Sequence, residues 1–324
     1  MRYGAGAVFG LLAGAVLTGS GPALASDWQP SKPVEMVIMA GQGGGADRLA
    51  RLFQSIIQQN ELASLPVLPV NKGGGSGAEA LRYLKDQAGD EHIVMATLNS
   101  LYTTPLRTEI GVDIAEFTPL ARMAVDTFVL WVNADSGITT LDEYVAAVRE
   151  AGPEWRMGGT GSGQEDSLIT ALLEQTFDLD MTYVPFGGGG EVAKNLVGGH
   201  IESSVNNPSE ALGFYEAGRV VPIATFTVER LDALPDVPTM TELGHDLVYT
   251  MQRSFVGPAD MPPEARDYYI ALFTALNDSD EWQTYAQEKA LLTDFLTGDE
   301  LMTYFLEERE KHRELLGSLG ELSG

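Results

Sequence analysis

Five short stretches carry the residue types best suited to chemistry: GQGGGAD (41–47), NKGGGSG (71–77), TLNS (97–100), GGTGSG (158–163) and FGGGG (186–190). Each follows an apolar run of strand character and stands at a strand-to-helix junction. A helix that starts there leaves its first N–H groups without intrahelical partners and aims a partial positive charge ahead of itself. Glycine lets the backbone approach a ligand closely and reach positive φ. One such loop reads equally well as a turn. Five at strand-to-helix junctions point to recognition of a carboxylate or phosphate through backbone N–H groups.

Other chemistries find less support. Gly41, Gly43 and Ala46 match the dinucleotide pattern G-x-G-x-x-G/A in form, but the acid required some 20 residues later would be Glu61, in a poorly defined loop. There is no P-loop motif. Ser76 and Ser162 lie among glycines outside any G-x-S-x-G context, and His92, His200, His245 and His312 are scattered. An exported serine-dependent hydrolase using Ser162 or Ser76 is the alternative from the enzyme class; the expectation is a protein that is not an enzyme. Neither H-E-x-x-H nor paired cysteines occur, so no metal and no cofactor is expected.

The acids beside the loops divide between capping and binding. Ser162 with Glu165, and Ser76 with Glu79, have the spacing of a capping box. Asp166, one residue further on, either favours the positive helix end from the surface or partners a ligand's ammonium group or a divalent cation. Asp47 divides between helix capping and positioning water in a pocket. Lys72 and Arg253 read first as structural or surface charges, Trp131 as core, and Phe186 as either core or pocket wall.

The elements that must position these loops repeat a beat of strand, loop and helix. VEMVIM (34–39), PVLPV (66–70) and IVMAT (93–97) are short apolar runs bounded by glycine, proline or asparagine and read as strands. Residues 47–60 place Leu49, Leu52, Phe53, Ile56 and Ile57 on one helical face. The beat restarts at FVLWV (128–132), with WRMG, MTYVPF, IESSV and VVPIATF as further strands and helices at 165–177, 191–198 and 209–216. Thr140 with Glu143 forms a capping box, as does Thr297 with Glu300, and helices are expected at 263–276, 281–289 and 300–316. Crossovers of this length suit parallel pairing in an open α/β sheet, and the order suits two lobes with the chain returning to the first.

Chain-wide features set the compartment. Arg2, the apolar stretch AVFGLLAGAVLTG and ALA at 23–25 make an export signal with cleavage expected after about Ala25. Zero cysteines exclude a disulfide framework. With 46 acidic against 20 basic side chains and a formal charge of −26, nucleic acid is excluded as a partner.

Taken together, WQPSKPVEMVIMAGQGGGADRLARLF, VNKGGGSGAEAL, MGGTGSGQEDSLITALLE, YVPFGGGGEVAKNLVGGHIESSVNN and LPDVPTMTELG resemble, in order and over nearly the whole mature chain, the substrate-binding proteins of tripartite tricarboxylate transporters, or Bug-type receptors. The resemblance implies an α/β periplasmic-binding-protein fold of type II-like form, each lobe a mainly parallel sheet flanked by helices, with the cleft between lobes. It implies a small organic acid as ligand, a two-component integral membrane permease as partner, a periplasmic location and a monomer. Lobe 1 would comprise 26–124 plus 228–324, and lobe 2 would comprise 125–227. By the same resemblance Gly43, Gly44, Gly45 and Asp47 hold the ligand's carboxylate with bridging water, and Thr97, Asn99 and Ser100 add side-chain bonds. Thr160, Gly161, Ser162 and Gly163 close from the second lobe, and Phe186, Gly187, Gly188, Asn206 and Asn207 complete its wall. The family commonly has proline at the position of Gly73 and lysine at that of Gly187; loss of the cation weakens the case for a highly charged tricarboxylate. A ligand sensor for a membrane signalling partner would need the same architecture.

Overall fold

Short apolar runs become strands wherever glycine, proline or a polar turn bounds them, and the amphipathic segments between them become helices. The computed structural model describes residue 1 and residues 28–322; the expected export signal beyond Met1, with its cleavage point, lies outside the described residues. The chain order is β1 (Val34–Ile38), α1 (Gly45–Gln59), β2 (Val67–Asn71), α2 (Ala78–Lys85), β3 (Ile93–Thr97), α3 (Ser100–Arg107), β4 (Thr118–Thr127) and β5 (Val129–Asn133). There follow α4 (Leu141–Ala151), β6 (Arg156–Thr160), α5 (Glu165–Phe177), β7 (Thr182–Phe186), α6 (Gly189–Val197), β8 (Ser203–Asn206), α7 (Pro208–Glu216) and β9 (Val220–Thr225). Last come β10 (Thr250–Gly257), α8 (Pro263–Asn277), α9 (Asp280–Glu288), β11 (Leu296–Thr297) and α10 (Gly298–Leu319).

The strands form two mixed sheets, and the two-lobed α/β fold expected from the sequence is observed. Neither sheet is mainly parallel as expected, since three of five pairings in the first and two of four in the second are antiparallel, where the chain doubles back or crosses between sheets. One has the order β11-β4-β10-β3-β1-β2 and the other β7-β6-β8-β5-β9. Parallel pairs lie where helical crossovers join the strands, β1 with β2 and β3, and β6 with β7 and β8. Antiparallel pairs lie where the chain passes between sheets, β10 with β3 and β4, and β5 with β8 and β9. Every residue of β3 is buried, as befits a strand flanked by two neighbours and covered on both faces.

Helix α1 shows how packing fixes an element. Leu49, Phe53, Ile56 and Ile57 recur at three- and four-residue spacing and are all buried. Phe53 meets Trp282 of α9 edge-on at 5.1 Å between centroids, and Phe255 of β10 stacks on Phe273 of α8 at 4.4 Å. These contacts fix α1 to α9 and α8 to the first sheet.

Three capping expectations are corrected. Thr140 and Glu143 do form a capping box on α4. At α5 the N-cap is Gln164 and Glu165 is the first helical residue, so Glu165 cannot reach back as a third-position cap. At α2 the helix begins after Gly77, and Glu79 accepts instead from the Gly74 N–H at 3.1 Å. At α10 Thr297 is the N-cap and Glu300 stands at the third helical position, but Thr297 makes no side-chain capping bond.

Candidate functional site

A cavity of about 100 Å3 lies between the two sheets. The loop after β1 supplies Gly41, Gly44 and Gly45, the loop after β6 supplies Thr160, Gly161 and Gln164, and the loop after β7 supplies Phe186, Gly187 and Gly188. Helix starts on both sides therefore face one small volume, at the C-terminal ends of parallel strands. Glu165 and Asp166 of α5, Asn207 and Glu210 at the start of α7, and Met251 and Arg253 of β10 close it.

Among the residues expected to meet a ligand, Gly44, Gly45, Thr160, Gly161, Asp166, Phe186, Gly187, Gly188 and Asn207 line this cavity. Gly43, Asp47, Thr97, Asn99, Ser100, Ser162, Gly163 and Asn206 do not, and their contacts explain why. Asp47 accepts from the Gly43 N–H, from Arg51 Nε and from Asn71 Nδ2, each at 3.0 Å. Burial opposes its ionisation, but Arg51, the Gly43 N–H and Asn71 together hold its carboxyl below the usual value. Thr97 and Asn99 lock β3 to β10: Gln252 Nε2 donates to Thr97 Oγ1 at 3.1 Å, and Asn99 Nδ2 donates to the Thr250 carbonyl at 2.9 Å. The Gly163 N–H donates to Ser167 Oγ at 2.6 Å. Asn206 Nδ2 donates to the Gly189 carbonyl and to Glu210 Oε2, both at 3.0 Å.

Several bonds cross between the halves of the molecule. Glu165 Oε1 accepts from the Ser100 N–H at 3.0 Å, so this acid caps α3 on the opposite side of the cleft. Ser76 Oγ donates to the Ser162 carbonyl at 2.8 Å, and Arg107 Nη1 donates to the same oxygen at 3.3 Å. The Gly45 N–H donates to Glu210 Oε1 at 3.0 Å.

Arg253 anchors the floor. Its Nε donates to Asp126 Oδ2 at 2.9 Å, its Nη2 also meets that oxygen, and Nη2 donates to Asn207 Oδ1 at 3.1 Å. Asn207 Nδ2 in turn donates to the Thr127 carbonyl at 2.8 Å. Burial pushes the Asp126 carboxyl up, with the Arg253 guanidinium pulling against it.

Of the two readings of Asp166, a surface charge at the helix end is not what the structure shows. Asp166 is 5% exposed, and its Oδ2 accepts from the Thr160 N–H at 2.7 Å. Burial pushes its carboxyl up to about 8, the Thr160 N–H opposes this, and the charges of Glu210 and Glu165 add to it. Burial raises Glu165 and Glu210 in the same direction. Sequence reasoning missed Gln164, Glu210 and Met251 altogether. For Gln164 the signal was its place directly after GGTGSG; for Glu210 it was the first turn of the helix following Asn207 and Pro208.

Residues 50–292 match the profile of the tripartite tricarboxylate transporter family receptor, TctC. A Cupriavidus necator protein described as the UPF0065 protein in the gbd 5' region is 24% identical over 296 residues, 91% of this chain and 90% of that protein. The periplasmic binding protein BugD superposes with a TM-score of 0.84 at 19% identity, covering 91% of this chain and 100% of that one. R. palustris Rpa4515, solved with adipate, gives a TM-score of 0.82 at 23% identity over 91% of this chain and 99% of its own.

Proposed function

The chain belongs to the tripartite tricarboxylate transporter receptor family, and from that premise we propose that it is an exported solute receptor which closes two lobes over a small organic carboxylate and hands it to a two-component integral membrane permease. Within this reading the lobes are 26–124 with 228–324, and 125–227, and they meet where β4 passes into β5 at Phe128 and along the return from β9 to β10. Export places the receptor in the periplasm, after cleavage near Ala25.

The observation that carries the reading is a set of three unengaged donors. The backbone N–H groups of Gly44, Gly161 and Gly188 belong to three loops from both halves, line the cavity, and hold no hydrogen bond among the described residues. Buried N–H groups without partners are costly, so the cavity favours an acceptor at that spot. A carboxylate supplies two acceptor oxygens that helix starts and loop N–H groups stabilise. The adipate held by a protein of the same fold supports an organic acid as ligand class. Ser76 Oγ is engaged with the Ser162 carbonyl, an arrangement suited to lobe closure more than to nucleophilic attack.

Titration calorimetry of refolded, ligand-free protein against a panel of short organic acids tests the proposal. Saturable one-to-one binding of at least one acid is expected. Uniform absence of binding sinks it.

A further inference from the structure

Helix α3 reaches across to the second sheet at a point outside the cavity. Thr104 and Arg107 stand three residues apart and so share one face of this helix. Thr104 Oγ1 donates to the Ser76 carbonyl at 2.6 Å, and Ser76 Oγ donates in turn to the Ser162 carbonyl in the loop after β6. Arg107 Nη1 donates to that same Ser162 oxygen at 3.3 Å. Both lone pairs of one carbonyl from the second half of the molecule are thus taken by donors that α3 carries or anchors.

The surroundings of Arg107 are fitted to it on two sides. A methyl group added at Gly163 would lie 0.9 Å from Arg107 Nη1, so the guanidinium fills the space that any side chain there would take. On its other side Arg107 Nη2 pairs with Glu321, just beyond the end of α10, the two side chains being 23% and 31% exposed. A helix-ending turn brings Glu321 there: Gly320 has a φ of 71°, and the Glu321 N–H donates to the Leu316 carbonyl at 2.8 Å. Neither Arg107 nor Glu321 lines the cavity. Arg48 makes a comparable bond to the Ser209 carbonyl, but it also acts on the cavity acid Glu210.

We propose that Arg107, braced by Glu321, is a latch between the lobes: a positioning residue that favours the closed arrangement through the Ser162 carbonyl from outside the cavity. This goes beyond the receptor reading, because the latch acts before any ligand enters and whichever acid is bound. A ligand that selects the closed form has its apparent affinity reduced in proportion to the fraction of protein in that form, so the latch sets affinity from a distance. The Glu321 carboxylate keeps the guanidinium over Gly163. Its loss frees Arg107 to turn into solvent.

The test needs no ligand. The chain has no cysteine, so spin labels attach only where one is introduced. Asp86→Cys at the end of α2 and Gln175→Cys in α5 put one label on each lobe, both at exposed positions. Pulsed electron–electron resonance of this doubly labelled protein, with no acid added, is expected to show a short-distance closed population and a long-distance open one. Arg107→Ala should lower the closed-to-open ratio roughly five-fold or more, as the loss of a charge-assisted bond predicts. Glu321→Gln should lower it about two-fold, in keeping with a partly exposed ion pair. Arg107→Lys, which keeps the charge and a donor, should recover part of the loss, and melting of each variant within a few degrees of wild type separates the latch from a general loss of stability. An unchanged ratio in either Arg107→Ala or Glu321→Gln overturns the latch, as does wild-type protein that shows only the long distance. Calorimetry with organic acids is a separate arm: a latch in a chain that binds no acid removes the receptor reading alone, and acid binding by a chain without a latch removes this proposal alone.

Discussion

At the scale of single residues, Asp166 has the clearest consequence. Its carboxyl rises from 3.8 to about 8 because burial withholds solvent from the charge and because Glu210 and Glu165 face it, with only the Thr160 N–H in opposition. A raised acid keeps its proton in the folded protein at pH values where the unfolded chain has lost it. Its contribution to stability is therefore complete below about pH 4 and is lost as pH rises towards 8. Asp166→Asn keeps the shape and the acceptor for Thr160 but removes that dependence. The melting temperature of the ligand-free variant relative to wild type should climb by roughly 4 °C or more between pH 5 and pH 8, the equivalent of 1–2 kcal/mol in a chain of this size. Parallel melting curves across that range would show that Asp166 ionises freely. The Asp126–Arg253 pair makes a second claim at this scale. Removing one partner strands the other charge in the interior, so Asp126→Ala should cost about 3–5 kcal/mol in urea unfolding. A cost below 1 kcal/mol would mean that water reaches Arg253.

Among the elements, α3 and α5 depend on each other across the cleft. The N-cap of α3, Asn99, makes no side-chain capping bond, and Glu165 supplies the acceptor for the Ser100 N–H from the opposite lobe. Glu165→Ala should raise hydrogen exchange at the Ser100 amide at least ten-fold, since a lost hydrogen bond to a buried charged group is worth about 1.5–3 kcal/mol. Glu165→Gln should restore most of the protection through its amide oxygen. Unchanged exchange in both variants would place the protection in α3 alone. This element also shows where sequence reasoning stops. The S-x-x-E spacing names a capping acid correctly as a type, but which helix it caps is decided by the approach of two lobes. Strands such as β3 were legible because four apolar residues, Ile93 to Ala96, stand between polar breaks. Strands β4 and β10 were not. Arg122, Asp126 and Arg253 interrupt their apolar runs, and register shifts near Arg253 and Phe255 break the alternation. Those charges are satisfied only by pairing in space, Arg253 with Asp126 and Arg122 with Asp294. In the site, the glycine loops were legible from their junctions, whereas Gln164 and Glu210 gain their meaning from the cavity between the two sheets.

For the whole molecule, the closeness of the lobes is itself measurable through one glycine. A methyl group added at Gly41, in the loop after β1, would lie 2.0 Å from the Gly187 carbonyl oxygen in the loop after β7. The opposing atom is backbone and the position of the added methyl is fixed by the backbone that bears it, so no side-chain rotation relieves the clash, and the lobes must separate. Gly41 does not have positive φ, so alanine is acceptable to its own loop. Gly41→Ala should therefore leave each lobe folded and disfavour only the closed arrangement. A ligand that binds the closed form shifts the equilibrium by no more than its preference for that form, so a penalty on closure appears directly as lost affinity. The affinity for whichever organic acid binds wild type should fall at least ten-fold. Melting of the ligand-free variant should stay within a few degrees, and small-angle scattering at saturating wild-type ligand concentrations should show a larger radius of gyration. Wild-type affinity and dimensions in Gly41→Ala would mean that ligand is held without the 41–187 approach, and the closure argument would then lose its geometric basis.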